Sequence, residues 1–325
     1  MKAVLLVGGE GTRLRPLTLS LPKPLVPVMN LPYLEQFLFF LETFGVDEVI
    51  LTACYLSNQI ENFCQTSTSR VKLRYVVEAN PLGTGGAVGN VASFLNETFL
   101  VFNGDVITNF NLERLIRFHH EKKGKMTLAL VPVEDTSRFG VVDLRFDGRI
   151  SAFVEKPPKN EAPSCFINAG MYVMEPDVLT RIPKGVKYSI ERELFPELAD
   201  DGVLLGLVQE DAYWMDIGTP EGYFQVHQDA FNGKITLKGS TEKKVLVGKG
   251  SHIDPSAVVG PGVVLGRNCR IEHGARVVES ILWDNVVVGE KANLFHAIIG
   301  SNYVMAPRQN VQGKILCLEG EKSFF

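Results

Sequence analysis

The first 232 residues alternate between two hydrophobic periodicities. Runs of aliphatic residues such as KAVLLVGG, at residues 2–9, predict strands that end at glycines. Between such runs, apolar residues recur at helical spacing, as Leu34, Phe37, Leu38 and Leu41 do. Strands that alternate with helices predict an α/β domain with a mainly parallel sheet that is covered on both faces.

The same patterns predict the order of the remaining elements. Strands are expected at DEVILTACYL, KLRYVVEA, TFLVFNGDV and MTLALVPV, and helices at SNQIENFCQ with Ser57 as its cap, after the turn NPLGTGGAV, and at NLERLIRFHHEKKG. Gly8, Gly83 and Asp105 each follow a predicted strand. Since ligands of parallel sheets bind at the carboxyl ends of the strands, we expect these three residues to share one crevice.

From about Val245 the pattern has a period of six residues. Aliphatic residues occupy one position of this period without interruption, at Val247, Ile253, Val259, Leu265, Ile271 and Val277. The register slips near Trp283 and resumes at Val288. This period predicts a short parallel β-helix of hexapeptide repeats, left-handed, with three or four coils. The predicted organisation is a catalytic domain over 1–232, a linker over 233–244, and the β-helix with a C-terminal tail over 245–325.

Composition excludes several classes of protein. With 325 residues, 45% of them hydrophobic, the chain can bury a large core. Its formal charge of −4 has no basic excess, so we expect no nucleic-acid partner. Five cysteines are scattered without a C-x-x-C pair, which favours a reducing compartment. No apolar run has the length of a signal peptide core or a membrane span, so a cytoplasmic protein without membrane contact is expected.

The first loop combines glycines with cations. Gly8, Gly9 and Gly11 leave backbone N–H groups unobstructed, and such groups cradle phosphate oxygens. Arg13 and Lys23 add positive charge. Neither the Rossmann fingerprint nor the P-loop motif fits this spacing, so a third kind of phosphate loop is needed. A glycine-rich loop alone is equally compatible with a tight turn.

The combination GGEGTRLRPLT followed by PKP resembles the nucleotide-binding signature of the sugar-nucleotide pyrophosphorylases, which are nucleotidyltransferases acting on sugar 1-phosphates. The segments FNGDV, FVEKP, INAGMY and YWMDIGTPEGY match further motifs of that family, and the resemblance covers the whole chain. EANPLGTGGA, SIERELFP and WMDIG fit its branch that transfers guanylyl groups to mannose 1-phosphate. The resemblance implies a Rossmann-like nucleotidyltransferase domain.

The resemblance also implies roles for individual residues. The nucleotide would be bound by Leu6, Val7, Gly8, Gly9, Gly11, Thr12, Arg13, Lys23, Glu78, Gly83, Thr84, Asn103 and Asp105. The sugar phosphate would be bound by Gly140, Glu155, Lys156 and Asn168. Asp105 and Asp216 would hold Mg²⁺, and Arg13, Lys23 and Lys156 would be catalytic.

These residue types suit one reaction. A sugar 1-phosphate is already an anionic nucleophile, so in-line attack on a nucleoside triphosphate needs positioning and charge stabilisation rather than a general base. Carboxylates and phosphates are the ligands that Mg²⁺ prefers. Taken singly, Asp105 could close a turn, Asp216 could cap the helix near Thr219, Lys156 could be a solvated surface lysine, and Asn168 could be a turn residue.

Glu78 is expected to read the base. The resemblance places it against the Watson–Crick edge, and an ionised carboxylate only accepts hydrogen bonds. Guanine offers two adjacent donors there, which favours GTP, although a solvated carboxylate at a strand end is an alternative. Mannose follows from the resemblance alone. Transfer of a thymidylyl or uridylyl group to glucose 1-phosphate therefore remains an alternative.

Two other classes of function compete with this interpretation. His252, His273 and His296 could serve an acyltransferase site in the β-helix, although such sites generally need a longer solenoid, and we interpret these histidines as surface or edge residues. A regulatory subunit without activity would be expected to have lost the loop cations or the metal aspartates. The open end of a β-helix favours self-association, so a homo-oligomer is expected.

Overall fold

The chain folds into two compact units, and each unit is made of two separate stretches. The first unit contains Met1–Gly9 and Phe40–Trp214, and the second contains Glu10–Phe39 and Met215–Phe325. The computed structural model describes residues 1–158 and 161–324. Phe325, the last residue of the predicted C-terminal domain, lies outside the described residues. The predicted domains are continuous stretches of sequence, with bounds at 232 and 245, whereas each of these units combines two stretches. The predicted bounds stay a prediction.

Among the described residues that precede residue 232 there are six α-helices. They are α1 (Tyr33–Glu42), α2 (Ser57–Thr66), α3 (Gly83–Asn90), α4 (Leu112–Lys122), α5 (Phe195–Asp200) and α6 (Pro220–Phe231). Short 3₁₀ helices occur at Thr12–Leu14, Lys23–Leu25, Ala92–Phe94 and Pro176–Arg181, and a π-helical turn at Ile190–Leu194 precedes α5. Ser57 is the first residue of α2 and the cap position falls on Leu56, so the predicted role of Ser57 as the cap is wrong.

Thirteen strands precede residue 217 among the described residues. They are β1 (Lys2–Leu6), β2 (Pro27–Val28), β3 (Leu31–Pro32), β4 (Glu48–Ala53), β5 (Lys72–Val77), β6 (Phe99–Asn103), β7 (Val106–Thr108), β8 (Met126–Pro132), β9 (Gly140–Leu144), β10 (Ile150–Glu155), β11 (Phe166–Met174), β12 (Leu204–Val208) and β13 (Trp214–Asp216).

The first unit is built around one mixed sheet. Its strand order is β10-β9-β11-β6-β1-β4-β5, and β8 joins β11 to β12. Strands β6, β1, β4 and β5 are parallel to one another, as β8 and β12 are. This confirms the expected α/β domain with a mainly parallel sheet, while β11 adds antiparallel pairs to β6, β8 and β9. Strand β4 is buried at all six positions, as a parallel strand between helices requires, whereas β5 at the end of the strand order is only partly buried.

The C-terminal strands repeat along the second unit. They are β14 (Val245–Val247), β15 (His252–Ile253), β16 (Val258–Val259), β17 (Val263–Leu265), β18 (Arg270–Ile271), β19 (Arg276–Leu282), β20 (Val287–Val288), β21 (Asn293–Ile299), β22 (Val304–Met305), β23 (Asn310–Gln312), β24 (Lys314–Cys317) and β25 (Gly320–Ser323). Parallel pairs join β14 to β17 and β15 to β18, and β24 turns back antiparallel to β25.

The six-residue pattern sets the register of these strands. Val247 pairs with Leu265 and Ile253 with Ile271, three periods further along. Beyond the slip near Trp283 the offset shortens by one residue, so Leu265 pairs with Leu282. From Leu265 onward the aliphatic position packs inward, and Leu265 and Ile271 are almost fully buried, whereas Val247 in β14 is 46% exposed. Among the described residues, no helix has the length and apolarity needed to cross a membrane.

Candidate functional site

In the first unit, the carboxyl ends of four parallel strands meet at one edge of the sheet. Leu6 at the end of β1 pairs with Asn103 at the end of β6 and with Thr52 near the end of β4. On the other side, Ala53 pairs with Val77 at the end of β5. The residues that follow these strands therefore lie along a common edge, as was expected for Gly8 and Asp105.

Gly104 fixes how closely two of these strand ends approach each other. A Cβ at this position would lie 2.4 Å from the carbonyl oxygen of Leu6 and 3.0 Å from a methyl carbon of Val7. Only glycine fits this space, so Asp105 follows a backbone that packs directly against the end of β1. The sequence motif drew attention to Asp105, but the glycine before it sets its position.

Glu78 is buried at the end of β5. The residue is only 6% exposed, and its Oε2 accepts a hydrogen bond from the N–H of Leu82 at 3.1 Å. Burial raises the pKa of this carboxyl group, and the bond from Leu82 opposes that shift. The alternative of a solvated carboxylate at a strand end is therefore wrong.

The glycine-rich start of α3 packs against the backbone of residues 186–190. Gly83 has a φ of +72°, and a Cβ there would lie 2.8 Å from the carbonyl oxygen of Tyr188. The same oxygen accepts the N–H groups of Gly85 and Gly86, at 2.9 and 3.1 Å. These two N–H groups are thus engaged inside the protein, and close backbone packing accounts for the glycines.

Thr84 belongs to a partly buried polar network that sequence reasoning missed. Its hydroxyl donates to Oε2 of Glu191 at 2.6 Å and accepts the N–H of Ile190 at 2.9 Å. Ser189 donates to the same carboxylate oxygen at 2.9 Å. Glu191 lies in the π-helical turn, and the segment SIERELFP was the only signal in the sequence that pointed to it.

The predicted sugar-phosphate residues come together where three strands adjoin. Gly140, at the start of β9, pairs with Glu155 at the end of β10. Ile167, the residue before Asn168, pairs with Val141. A Cβ at Gly140 would lie 2.2 Å from the ring of Phe153 and 2.9 Å from Oε2 of Glu155, so the absence of a side chain makes room for that carboxylate.

Lys156 follows Glu155 in a left-handed backbone conformation, with φ of 51°. Its N–H donates to the carbonyl oxygen of Phe139 at 3.1 Å, and its Nζ lies 3.4 Å from Oε1 of Glu155. Burial raises the pKa of Glu155, and the charge of Lys156 opposes that shift. The side chain of Lys156 is 59% exposed, which leaves the ammonium group accessible to an anionic ligand.

Asn168 and Asn103 both approach one buried tyrosine. Asn168 donates from Nδ2 to the hydroxyl of Tyr172 at 2.9 Å and accepts the N–H of Gly170. Gly170 has a φ of +74°, and a Cβ there would lie 2.9 Å from Nδ2 of Asn103. Burial raises the pKa of Tyr172, and the nearby charge of Glu191 adds to that effect. A residue predicted for the nucleotide and one predicted for the sugar thus share a neighbour.

In the second unit, the arginine loop (residues 11–23) begins with a required glycine. Gly11 has a φ of +62°, and a Cβ there would lie 3.1 Å from Thr18 and 3.2 Å from Lys23. Thr12–Leu14 forms a 3₁₀ turn, and the hydroxyl of Thr18 donates to the carbonyl oxygen of Gly11 at 2.8 Å. The loop is therefore closed on itself, with Arg13 on the turn.

Two predicted cations and one predicted metal ligand surround Gly218. Nη1 of Arg13 lies 3.0 Å from Oδ2 of Asp216, and the N–H of Gly218 donates to Oδ1 at 2.6 Å. A Cβ on Gly218 would lie 2.5 Å from Nζ of Lys23 and 2.6 Å from Nη2 of Arg13. Because the guanidinium is 53% exposed, the ion pair stabilises the fold by at most about 1 kcal/mol.

The chemistry of the predicted metal ligands fits Mg²⁺. Both are carboxylates, and Mg²⁺ commonly takes one or two carboxylates and completes its coordination with water and substrate phosphates. Within residues 1–158 and 161–324 there is no group of three or more His, Cys, Asp or Glu side chains placed to hold a metal ion. A site that depends on substrate oxygens does not require such a group.

The three histidines of the C-terminal strands differ in their surroundings. His252 is exposed, and Nδ1 of His273 lies 2.8 Å from the hydroxyl of Ser256. His296 is partly buried rather than at the surface, because its ring lies 4.1 Å from that of Phe224. The expectation of surface or edge positions thus holds for the first two and not for His296.

Comparison with known proteins identifies the class. Residues 2–233 match the family model described as nucleotidyl transferase, and residues 241–322 match the one described as GMPPB C-terminal domain. The chain belongs to the nucleotidyl transferase family. Together with the relatives described next, this makes it an enzyme that transfers a nucleotidyl group to a sugar 1-phosphate.

The relatives narrow the class further. The chain is 41% identical to a mannose-1-phosphate guanylyltransferase of Mycobacterium tuberculosis over 88% of this chain and 80% of that protein. It is 36% identical to a probable mannose-1-phosphate guanylyltransferase of Arabidopsis thaliana, over 92% and 86%. A UTP–glucose-1-phosphate uridylyltransferase of Synechocystis is 30% identical, over 93% and 88%.

A solved structure agrees with the fold over about two thirds of the chain. HddC from Yersinia pseudotuberculosis superimposes with a TM-score of 0.60 at 30% identity, covering 69% of this chain and 97% of that one. A second crystal structure of HddC, complexed with GMP-PN, matches equally well.

Proposed function

We propose that the protein transfers a guanylyl group from GTP to mannose 1-phosphate, with Mg²⁺, and releases GDP-mannose and pyrophosphate. The observation that carries the choice of base is the burial of Glu78, whose carboxylate is withdrawn from solvent at the carboxyl edge of the sheet. A carboxylate held there can accept the N1–H and N2–H groups of guanine together. The guanylyltransferase relatives support the same base and supply the sugar.

The chain's own residues account for the charge that the reaction must handle. An oxygen of mannose 1-phosphate attacks the α-phosphorus of GTP, and the bond from that phosphorus to the pyrophosphate oxygen breaks. Arg13 and Lys23 would offset the charge of the triphosphate and the leaving pyrophosphate. Lys156, with its exposed ammonium group, would bind the phosphate of the sugar. No covalent intermediate is required.

The remaining predicted contacts are divided between the nucleotide and the sugar phosphate. Leu6, Val7, Gly8, Gly9, Gly11, Thr12, Gly83, Thr84 and Asn103 are proposed for the nucleotide, and Gly140, Glu155 and Asn168 for the sugar phosphate. Asp105 and Asp216 are proposed as the carboxylate ligands of Mg²⁺, which when bound would polarise phosphate oxygens. The cytoplasmic location stays a prediction.

The C-terminal strands are proposed to form the predicted left-handed β-helix and to mediate self-association. Their parallel pairs, offset by three six-residue periods, support the β-helix. We propose a homo-oligomer on the ground that the ends of such a solenoid expose unpaired strand edges.

A substrate panel tests this proposal. GTP, UTP, dTTP and ATP are each combined with mannose 1-phosphate or glucose 1-phosphate and Mg²⁺, and pyrophosphate release is measured, with and without a chelator. We expect the largest kcat/KM for GTP with mannose 1-phosphate and no turnover after chelation. A preference for UTP with glucose 1-phosphate would favour the uridylyltransferase alternative, which the Synechocystis relative keeps open. Silence with every pair would favour the regulatory subunit.

A further inference from the structure

The chain ends in a hairpin whose last described residue is buried. Strands β24 and β25 form the hairpin, with Lys314 paired to Ser323 and Cys317 to Gly320. The four residues of β25 are exposed, but Phe324 is only 5% exposed. Its N–H donates to the carbonyl oxygen of Gly313 at 3.1 Å, so Phe324 is held against the hairpin.

The ring of Phe324 joins an aromatic cluster on α6. It lies nearly parallel to His296 at a centroid distance of 5.9 Å, and 6.0 Å from Phe224. Helix α6 begins at Pro220, four residues after Asp216. Phe324 is thus anchored on α6, the helix that follows the proposed metal ligand Asp216.

The same hairpin reaches the arginine loop. Nζ of Lys322 donates to the carbonyl oxygen of Arg13 at 2.9 Å, across 309 positions of the sequence. The guanidinium of Arg13 in turn contacts Asp216. The loop that carries a proposed catalytic cation is therefore tied through its backbone to a lysine three residues before the end of the chain.

We propose that Lys322 is a positioning residue for nucleotidyl transfer, which holds the Arg13 backbone so that the guanidinium of Arg13 faces Asp216 and the incoming triphosphate. This inference rests on the proposed role of Arg13. The C-terminal hairpin would thus support the active site through Arg13, while Phe324 fixes the hairpin to α6. A lysine suits this task because its long stem places a charged donor on a carbonyl oxygen, and charge-assisted bonds are stronger than neutral ones.

Three variants of the full-length protein test the proposal. Lys322→Met keeps most of the stem and removes the donor, Lys322→Arg keeps a donor, and Lys314→Met is the matched control. Lys314 lies in the same hairpin, where its Nζ is 3.7 Å from Glu321. We expect Lys322→Met to lower kcat/KM for GTP about tenfold, the loss that corresponds to one charge-assisted hydrogen bond. Its melting temperature should stay that of the wild type, and the other two variants should retain wild-type turnover.

A second measurement does not depend on turnover. The N–H groups of Leu14 and Arg15 bond inside the loop, to Gly11 and Thr12. Hydrogen exchange at these two amides should accelerate in Lys322→Met and stay unchanged in Lys314→Met. Unchanged exchange, or equal kcat/KM in Lys322→Met and the wild type, would overturn the positioning role. A wild type that turns over no substrate pair would instead contradict the proposed function, and exchange would then decide whether Lys322 holds the loop.

Discussion

At the residue scale, Glu78 links the environment of one carboxyl group to the choice of base. The side chain is withdrawn from water, and one of its oxygens already accepts the N–H of Leu82. A buried carboxylate with few partners gains more from two further donors than an exposed one does, because it has no water to give up. Guanine is the base that supplies two such donors side by side.

We therefore expect Glu78→Gln to reduce the preference for GTP over UTP by about tenfold, because an amide presents one acceptor and one donor group where two acceptors are needed. The ratio of kcat/KM values for the two nucleotides measures this.

Burial raises the pKa of Glu78, so its proton is retained to a higher pH than in an ordinary glutamate. The wild-type preference should then fall as the pH falls through that raised value, and Glu78→Gln should show no such dependence. A preference that survives both changes would mean that another residue reads the base.

Glu78 also shows what the sequence could predict at this scale. Its place at the end of a strand followed from the alternation of KLRYVVEA, and its proximity to the glycine-rich turn followed from the short loop between them. Its burial did not follow, because that depends on the packing of the intervening loop. Glu191 was missed for a similar reason: its partner Thr84 lies 107 positions away in the chain.

At the scale of elements, α6 and the strand before it are in unusually close contact. A Cβ on Gly222, in the first turn of α6, would lie 2.0 Å from the backbone oxygen of Asp216. The N–H of Gly222 also donates a hydrogen bond to the hydroxyl of Thr219, which caps the helix. The capped start of the helix thus packs directly on the backbone of Asp216, and a glycine is required where the two elements touch.

Gly222→Ala should therefore displace α6 from Asp216. Overpacking of this kind costs about 2 kcal/mol of unfolding free energy, and a shift of the order of an ångström in a reacting group lowers kcat by roughly 10²-fold. Urea unfolding and steady-state kinetics measure the two effects. Glu221→Ala, which changes the exposed neighbour in the same turn, is the control and should change neither quantity appreciably. If Gly222→Ala lost stability but kept full activity, the position of α6 would not matter for catalysis.

Elements were predicted well where one periodicity runs without interruption. The six-residue repeat predicted stacked parallel strands, and Val247 and Ile253 do pair with Leu265 and Ile271, three periods further along. The start of α3 was predicted less well. Its glycines suggested a turn, whereas the helix begins at Gly83, since tertiary packing against Tyr188 outweighs the low helix propensity of glycine.

At the scale of the whole molecule, a buried histidine makes the second unit sensitive to acid. His227 on α6 is fully buried and bonds through Nδ1 to the carbonyl oxygen of Tyr223 at 2.8 Å. Burial lowers its pKa from 6.5 to about 4, while nearby backbone carbonyls oppose the shift. A group with a lowered pKa stabilises the fold above its unfolded pKa and loses that contribution as the pH falls toward the folded value.

The free energy of unfolding should thus fall by roughly 3 kcal/mol between pH 6.5 and 4 through His227, which is the equivalent of this shift. Urea unfolding at a series of pH values measures the slope. His227→Gln keeps an N–H donor and removes the titration, so its slope over this window should be shallower than that of the wild type by that amount. Parallel slopes would mean that other groups govern the acid sensitivity.

The division of the chain into two interleaved units has a consequence for biosynthesis. Residues 10–39 leave the ribosome early, but the residues with which they form the second unit, 215–325, are translated last. The strands of the first unit beyond residue 40 can be complete on the nascent chain, whereas the arginine loop lacks its contacts with residues 215–325 until those residues emerge. A ribosome-bound chain stalled at residue 240 should therefore be cleaved by protease within residues 11–23, and the released protein should resist. Equal resistance before and after release would show that this segment folds without its distant half.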